Sequence, residues 1–326
     1  MQSPITTHEE LWEGLNHLAF FELNKGRNSL AIQAAEEALK IAEAIFPQRH
    51  ANITRSMHTL AKVYAATNHA DAAEVFFDKA LETTRDSFGM ESVEAARIAV
   101  DFAKLHVKAQ RYSDAELLLK QAEGILSQIG EVADPDRAET LRVLAKMYEA
   151  SHKDNDADSC FNQAAILAAK AYGNEHPNVI GILEELANFY KTNRRYTKAQ
   201  PVFEHLLKVG EKKFGIEHLN IIPVLDNLSA VYMFQGKYDA AERINTRALR
   251  IVEKNHGEGH INVATNLEKL VTILRIQGRH HEAEPFCRRA LEIFEASLRP
   301  DHPKLVQLAD TLANILEQKR QSALKV

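Results

Sequence analysis

The chain is short of the residues that punctuate or cross-link small folds. In 326 residues there are 13 Gly, 9 Pro, 2 Cys and one Trp. So little turn chemistry argues against an assembly of many short strands. Cys160 and Cys287 cannot form a disulfide framework and fit a reducing compartment. No apolar run approaches the ~18 residues needed to span a bilayer. The start, MQSPITTHEELWEG, has neither a basic segment nor an apolar core, so no signal peptide is expected. Basic charge is not in excess: 40 Lys and Arg stand against 45 Asp and Glu, a formal charge of −5. That balance gives no general attraction to nucleic acid or anionic membranes, and nucleic-acid binding also calls for stacking aromatics. GxxxxGK, GxGxxG and HExxH are all missing. What remains, 45% apolar and 26% charged, describes a soluble, foldable chain. The expectation is a cytoplasmic protein without catalytic activity, cofactor or metal.

Self-comparison then shows a fixed period. Leu18, Leu60, Phe102, Leu144, Leu186, Leu228, Leu270 and Leu312 are each 42 residues apart. Directly after them stand Ala19, Ala61, Ala103, Ala145, Ala187, Ser229, Val271 and Ala313. A further column is all alanine: Ala31, Ala73, Ala115, Ala157, Ala199, Ala241 and Ala283. Each unit reads as two helices, the first carrying LxxLAxxY at helical spacing. Small residues at the crossings let the helix axes approach to about 8–10 Å. Gly26, Asn68, Gly236 and Gly278 share one column, where a left-handed residue ends a helix.

The stretch GNEHPNVIGILEELANFY places His176 ahead of Glu184 and Glu185, as a metal or acid–base site would. His176 nevertheless belongs to the column His50, Ser92, Asp134, His176, His218, His260 and His302. Histidine there alternates with Ser and Asp, both good N-caps, and Pro often follows. One histidine per repeat cannot converge on a single ion, whose ligands lie about 2 Å away. The column is read as helix punctuation. His280 and His281 are adjacent and so face different sides of a helix. Cys160 and Cys287 fall in second helices and read as buried small hydrophobes.

The segments YGNEHPNV, QGKYDAAERINTRALRIVE and QGRHHEAEPFCRRALEIFE resemble the tetratricopeptide repeats of kinesin light chains. The resemblance covers essentially the whole chain, with repeats at 8–49, 50–91, 92–133, 134–175, 176–217, 218–259 and 260–301 and a capping helix near 302–320. Repeats one and three depart from it, with Glu22 and His106 at the Tyr position. It implies an all-α, right-handed superhelix (an α-solenoid) of seven hairpins plus the cap. The first helices would line a concave groove that binds peptides or partner proteins. Pro201 and Pro285 match a family pattern in which Pro lies near the start of the second helix.

Offsets from the Leu column nominate the groove residues. In the N-terminal half these are Arg55, His58, Lys62, Arg97, Lys104, Lys108, Arg142 and Lys146. Glu94 and Asp101 can pair with Arg97 and Lys104, and Glu139 lies near Arg142. In the C-terminal half Glu184, Asp226, Glu268 and Asp310 form an acidic ladder. Met233 and Phe234 offer an apolar anchor, with Phe20 in a similar place in repeat one. The family pattern has Asn just before the Leu as a backbone clamp; only Asn227 matches, with Asn188 as a second amide.

The functional expectation is a scaffold or adaptor whose groove is basic in its N-terminal half and acidic in its C-terminal half. Its partner would be a peptide or protein with an acidic segment over the basic half. The same polarity permits self-association. The alternative is a regulatory or sensory subunit that binds a small ligand or signal peptide and controls a partner enzyme.

Overall fold

The computed structural model describes residues 4–323, with side chains over 8–321. Among the described residues there are fifteen α-helices, two short 3-10 turns and no strand. They divide into two compact units, residues 1–182 and 183–326.

In the first unit the hairpins are α1 (Pro4–Asn24) with α2 (Asn28–Ile45), α3 (Ala51–Ala66) with α4 (Ala70–Ser87), α5 (Val93–Lys108) with α6 (Tyr112–Ile129), and α7 (Asp134–Ala150) with α8 (Asp154–Tyr172). Helix α9 (Pro177–Thr192) begins in this unit. The second unit holds α10 (Tyr196–Phe214), then α11 (Ile222–Phe234) with α12 (Tyr238–His256), α13 (Ile261–Ile276) with α14 (His280–Ser297), and finally α15 (Pro303–Ala323).

In α3 the two adjacent columns pack in opposite directions. Leu60 belongs to the core built from Ala31, Ala34, Ala35 and Leu39 of the preceding hairpin. Ala61 sits instead with Ala73, Phe77 and Ala80 of its own second helix. The ends expose this division. Leu18 is 42% exposed, against 1% for Leu60, because no hairpin precedes α1 among the described residues. Its neighbour Ala19 is fully buried. At the other end Leu312 still packs on the core of the preceding hairpin, whereas Ala313, facing no second helix, is exposed. Within the stack, truncating such a leucine costs about 2–5 kcal/mol. Cys287 is fully buried as expected; Cys160 is only half-buried.

The turn column is left-handed in all seven hairpins. Gly26, Gly236 and Gly278 have φ of 72–73°, and Asn68, Gln110, His152 and Arg194 follow at 58–63°. At each, a Schellman bond closes the helix, such as Arg27 N–H to Glu22 O at 2.9 Å and Arg195 N–H to Tyr190 O at 2.8 Å. The capping column also forms. The Nδ1 atoms of His50, His176, His218, His260 and His302 accept the N–H two residues on at 3.1–3.2 Å. Ser92 Oγ accepts from Ala95 N–H at 3.2 Å. Several capping imidazoles also stack on an upstream ring, as His176 does on Tyr172 at 4.4 Å.

Asp134 departs from the column. The left-handed residue here is Gly130, where the 42-residue phase calls for position 131, and a 3-10 turn over Glu131–Ala133 follows. Asp134 is thereby drawn into α7 itself and makes no side-chain cap. Its buried carboxylate lies 3.2 Å from Lys170 Nζ instead. Pro201 and Pro285 occupy the sixth position of α10 and α14, in the second turn.

Candidate functional site

The first helices of the N-terminal unit, α3, α5, α7 and the start of α9, present one polar face. Its centre is Asp101. The carboxylate lies 3.0 Å from His58 Nε2, 3.2 Å from Lys62 Nζ and 2.9 Å from Lys104 Nζ. Burial works to raise the Asp101 carboxyl, but the His58 hydrogen bond and the two ammonium groups outweigh it and hold it well below the usual carboxylate range. Lys104 also reaches Glu139 at 3.1 Å, and Glu139 takes the forked guanidinium of Arg142 at 2.7 and 2.9 Å. Arg97 grips Asp136 in the same bidentate way, at 2.7 and 3.0 Å.

Two cavities open on this face. One, about 490 Å³, is bounded by Arg97, Asp136, Glu139 and Arg142 on one side and by Tyr172, Pro177 and Ile182 on the other. Gly181 leaves part of its wall open: nothing lies within 4 Å of where a Cβ would stand. The second, about 200 Å³, is lined by Lys62, Val100, Asp101 and Lys104 and shares Arg97, Asp136 and Glu139 with the first. The shared walls make them parts of one depression.

The nominated residues fall into groups. His58, Lys62, Arg97, Lys104 and Arg142 belong to this alternating-charge network. Arg55 is exposed, its guanidinium 5.5 Å from the centre of the Phe88 ring. Lys108 donates to Asn68 Oδ1 at 2.6 Å. Lys146 is exposed on α7. In the C-terminal unit, Glu184 and Asn188 are exposed on α9. Asn227 Oδ1 accepts from Lys191 at 2.6 Å, and Asp226 lies 2.6 Å from Lys269 Nζ. Glu268 lies 3.9 Å from Lys304. Phe234 is 66% exposed and stacks flat on Tyr196 at 4.8 Å, beside the half-buried Met233.

The pairings between repeats were missed from the sequence. Arg97 was expected to be held by Glu94 within its own helix; its hydrogen-bonded partner is Asp136, one repeat on. The signal was available. Lys62–Asp101 and Arg97–Asp136 are both 39 residues apart, the 42-residue period less one helical step of three. A search for opposite charges at that separation finds them.

The comparisons with known proteins agree with this architecture. A family model described as Tetratricopeptide repeat matches residues 13–86, 178–254 and 262–324. The chain belongs to the tetratricopeptide repeat family. A search of curated proteins found no match. Among solved structures, the kinesin light chain nearly identical TPR-like repeats of Podosopora anserina align with TM-score 0.53 and 21% identity, covering 65% of this chain and 98% of that one. BtubC (BKLC) from P. vanneervenii aligns at TM-score 0.50 and 19% identity, over 76% of this chain and 94% of that one. A signal transduction ATPase with a tetratricopeptide repeat sensor, from Pyrococcus horikoshii, aligns at TM-score 0.60 and 14% identity, over 98% of this chain and 47% of the other. At such identities the likeness is one of fold. Among the described residues no helix is long and apolar enough to cross a membrane, and no group of three or more His, Cys, Asp or Glu is placed to hold a metal.

Proposed function

We propose that the chain is a non-catalytic scaffold that holds an extended peptide or protein segment along its first-helix face, with an acidic stretch over the N-terminal unit. The observation that carries this reading is the paired depression around Arg97, Asp136 and Glu139. It is concave, and two bidentate Arg–carboxylate pairs and a tyrosine edge shape it. Such preorganised polar walls suit recognition of a chain segment.

The acidic preference rests on what the internal pairs leave over. Lys62, Lys104, Arg97 and Arg142 are met by Asp101, Asp136 and Glu139. Arg55 and Lys108 face no carboxylate among the described residues. A surface biased to one sign steers an oppositely charged partner and raises its association rate. Both cysteines are free thiols, which suits a cytoplasmic location.

The test is fluorescence anisotropy with the full chain and fluorescein-labelled extended peptides rich in Glu, in Lys or in neither. The Glu-rich peptide should bind best and lose affinity with salt. Arg55→Glu with Lys108→Glu should weaken it about tenfold, and because neither residue holds a carboxylate, the fold should survive. Equal affinity for all three peptides, or for the reversed variant, overturns the reading. A small molecule that raises the melting temperature while no peptide binds would favour the sensory alternative.

A further inference from the structure

We infer that the first-helix face of the C-terminal unit carries a pocket for a cationic side chain of the bound segment, and that Lys269, in the pocket wall, holds its carboxylate in the free protein. The inference rests on the peptide-binding reading above and concerns a separate place on the chain.

The pocket is a cavity of about 350 Å³ among α11, α12 and α13. Its apolar wall consists of Leu219, Ile222, Pro223 and Val252, and its polar wall includes Asp226 and Asn266. Asn266 is 4% exposed; its Nδ2 donates to Asn262 O at 2.8 Å, while its Oδ1 has no hydrogen-bond partner. A buried acceptor without a donor is costly and is found where something else supplies one. Asp226 has a counter-ion, Lys269 Nζ at 2.6 Å, but both side chains are about one-third exposed, at 32% and 34%. Ion pairs that exposed are weakly held and exchange readily.

A carboxylate and an amide oxygen beside an aliphatic wall ask for a particular kind of group. An alkyl stem covers Leu219, Ile222 and Pro223, and a positive head with several donors serves Asp226 and Asn266. Arginine fits better than lysine, because its planar fork offers five donors and stacks on rings such as the His256 imidazole that borders the cavity. An acidic or purely apolar side chain would leave both acceptors unserved. Lys269, tethered beside the pocket, is then an internal competitor.

That competition gives the experiment its signature. The probes are two Gly-Ser peptides of equal length, one with a central arginine and one with norleucine, titrated into the 15N-labelled full chain. The arginine peptide should move the Asn266 side-chain amide resonances and the norleucine peptide should not. Lys269→Met removes the competing charge and keeps the stem, so it should tighten arginine-peptide binding about threefold. Asp226→Asn should weaken it about tenfold. Equal responses to both peptides, or weaker binding by Lys269→Met, overturn the proposal; the latter variant decides the matter alone if Asp226→Asn unfolds. If the Glu-rich peptide still binds the N-terminal unit while the arginine peptide leaves Asn266 unmoved, this pocket fails and the scaffold reading stands. If no peptide binds, both fail.

Discussion

The Tyr64 hydroxyl donates to Glu36 Oε1 at 2.7 Å, tying a first helix to the second helix of the hairpin before it. The rung recurs as Tyr148 to Glu116 at 3.0 Å and Tyr232 to Glu204 at 2.8 Å. Burial, then the hydrogen bond to Glu36, pushes the Tyr64 phenol up to about 12; Tyr232 rises likewise through burial and Glu204. The ordinary tyrosine value is about 10. Since the folded value lies above the unfolded one, this contribution to stability is full below pH about 10 and is lost as pH rises toward about 12. Urea midpoints across that range should fall, and less steeply in a Tyr64→Phe/Tyr232→Phe double variant. At neutral pH each single Tyr→Phe change should cost about 1 kcal/mol.

His106 stands where the rung calls for tyrosine. It is 5% exposed, its Nδ1 has no partner, and burial, then Arg111, pushes its pKa down. Glu74 and Asp78 lie on the preceding second helix at the offsets that Glu116 and Glu36 occupy relative to their tyrosines. His106→Tyr should therefore gain a hydroxyl-to-carboxylate bond and stabilise the chain by about 1 kcal/mol. A lowered melting temperature would mean that the site, already packed against Phe102 at 4.4 Å, lacks room for the larger ring.

Gln110, His152 and Arg194 hold left-handed conformations that glycine occupies in hairpins one, six and seven. A Cβ in that region is strained, while glycine costs more chain entropy on folding. The strain is the larger quantity, so Gln110→Gly and Arg194→Gly should each stabilise by about 0.5–1 kcal/mol in thermal or urea unfolding. Gly236→Ala should do the reverse.

These positions also show how far the sequence could be read. The Leu and Ala columns were legible because a packed helix interface repeats its side chains at a fixed interval, and Leu60 and Ala61 lie where that interval puts them. The turn was recognised at Gly26 and Asn68 but not at Arg194, since a Schellman turn is imposed by the packing of both helices and needs no glycine. Asp134 was misread because one displaced glycine, Gly130, shifted the loop. The charge pattern was legible residue by residue, yet the partners were not. Lys62 meets Asp101 only because two helices from different repeats lie side by side, a relation that spacing within one helix does not contain.

Asp101 tests both the fold and the proposed partner. Its side chain is 16% exposed and balances His58, Lys62 and Lys104. Its folded pKa is depressed, so the stability it contributes is present above the ordinary carboxylate value of about 4 and is lost as pH falls through and below that value. Asp101→Asn should lower stability at neutral pH by about 1–3 kcal/mol and flatten the acid limb of the pH profile. It also leaves Lys62 with no carboxylate partner among the described residues and makes the N-terminal face more positive. The Glu-rich peptide should then bind several-fold tighter to the variant, provided its melting curve shows it folded at the assay temperature. A folded Asp101→Asn protein with unchanged affinity for that peptide would mean that the lysines around Asp101 serve the stack alone, and the acidic partner would have to be sought elsewhere on the chain.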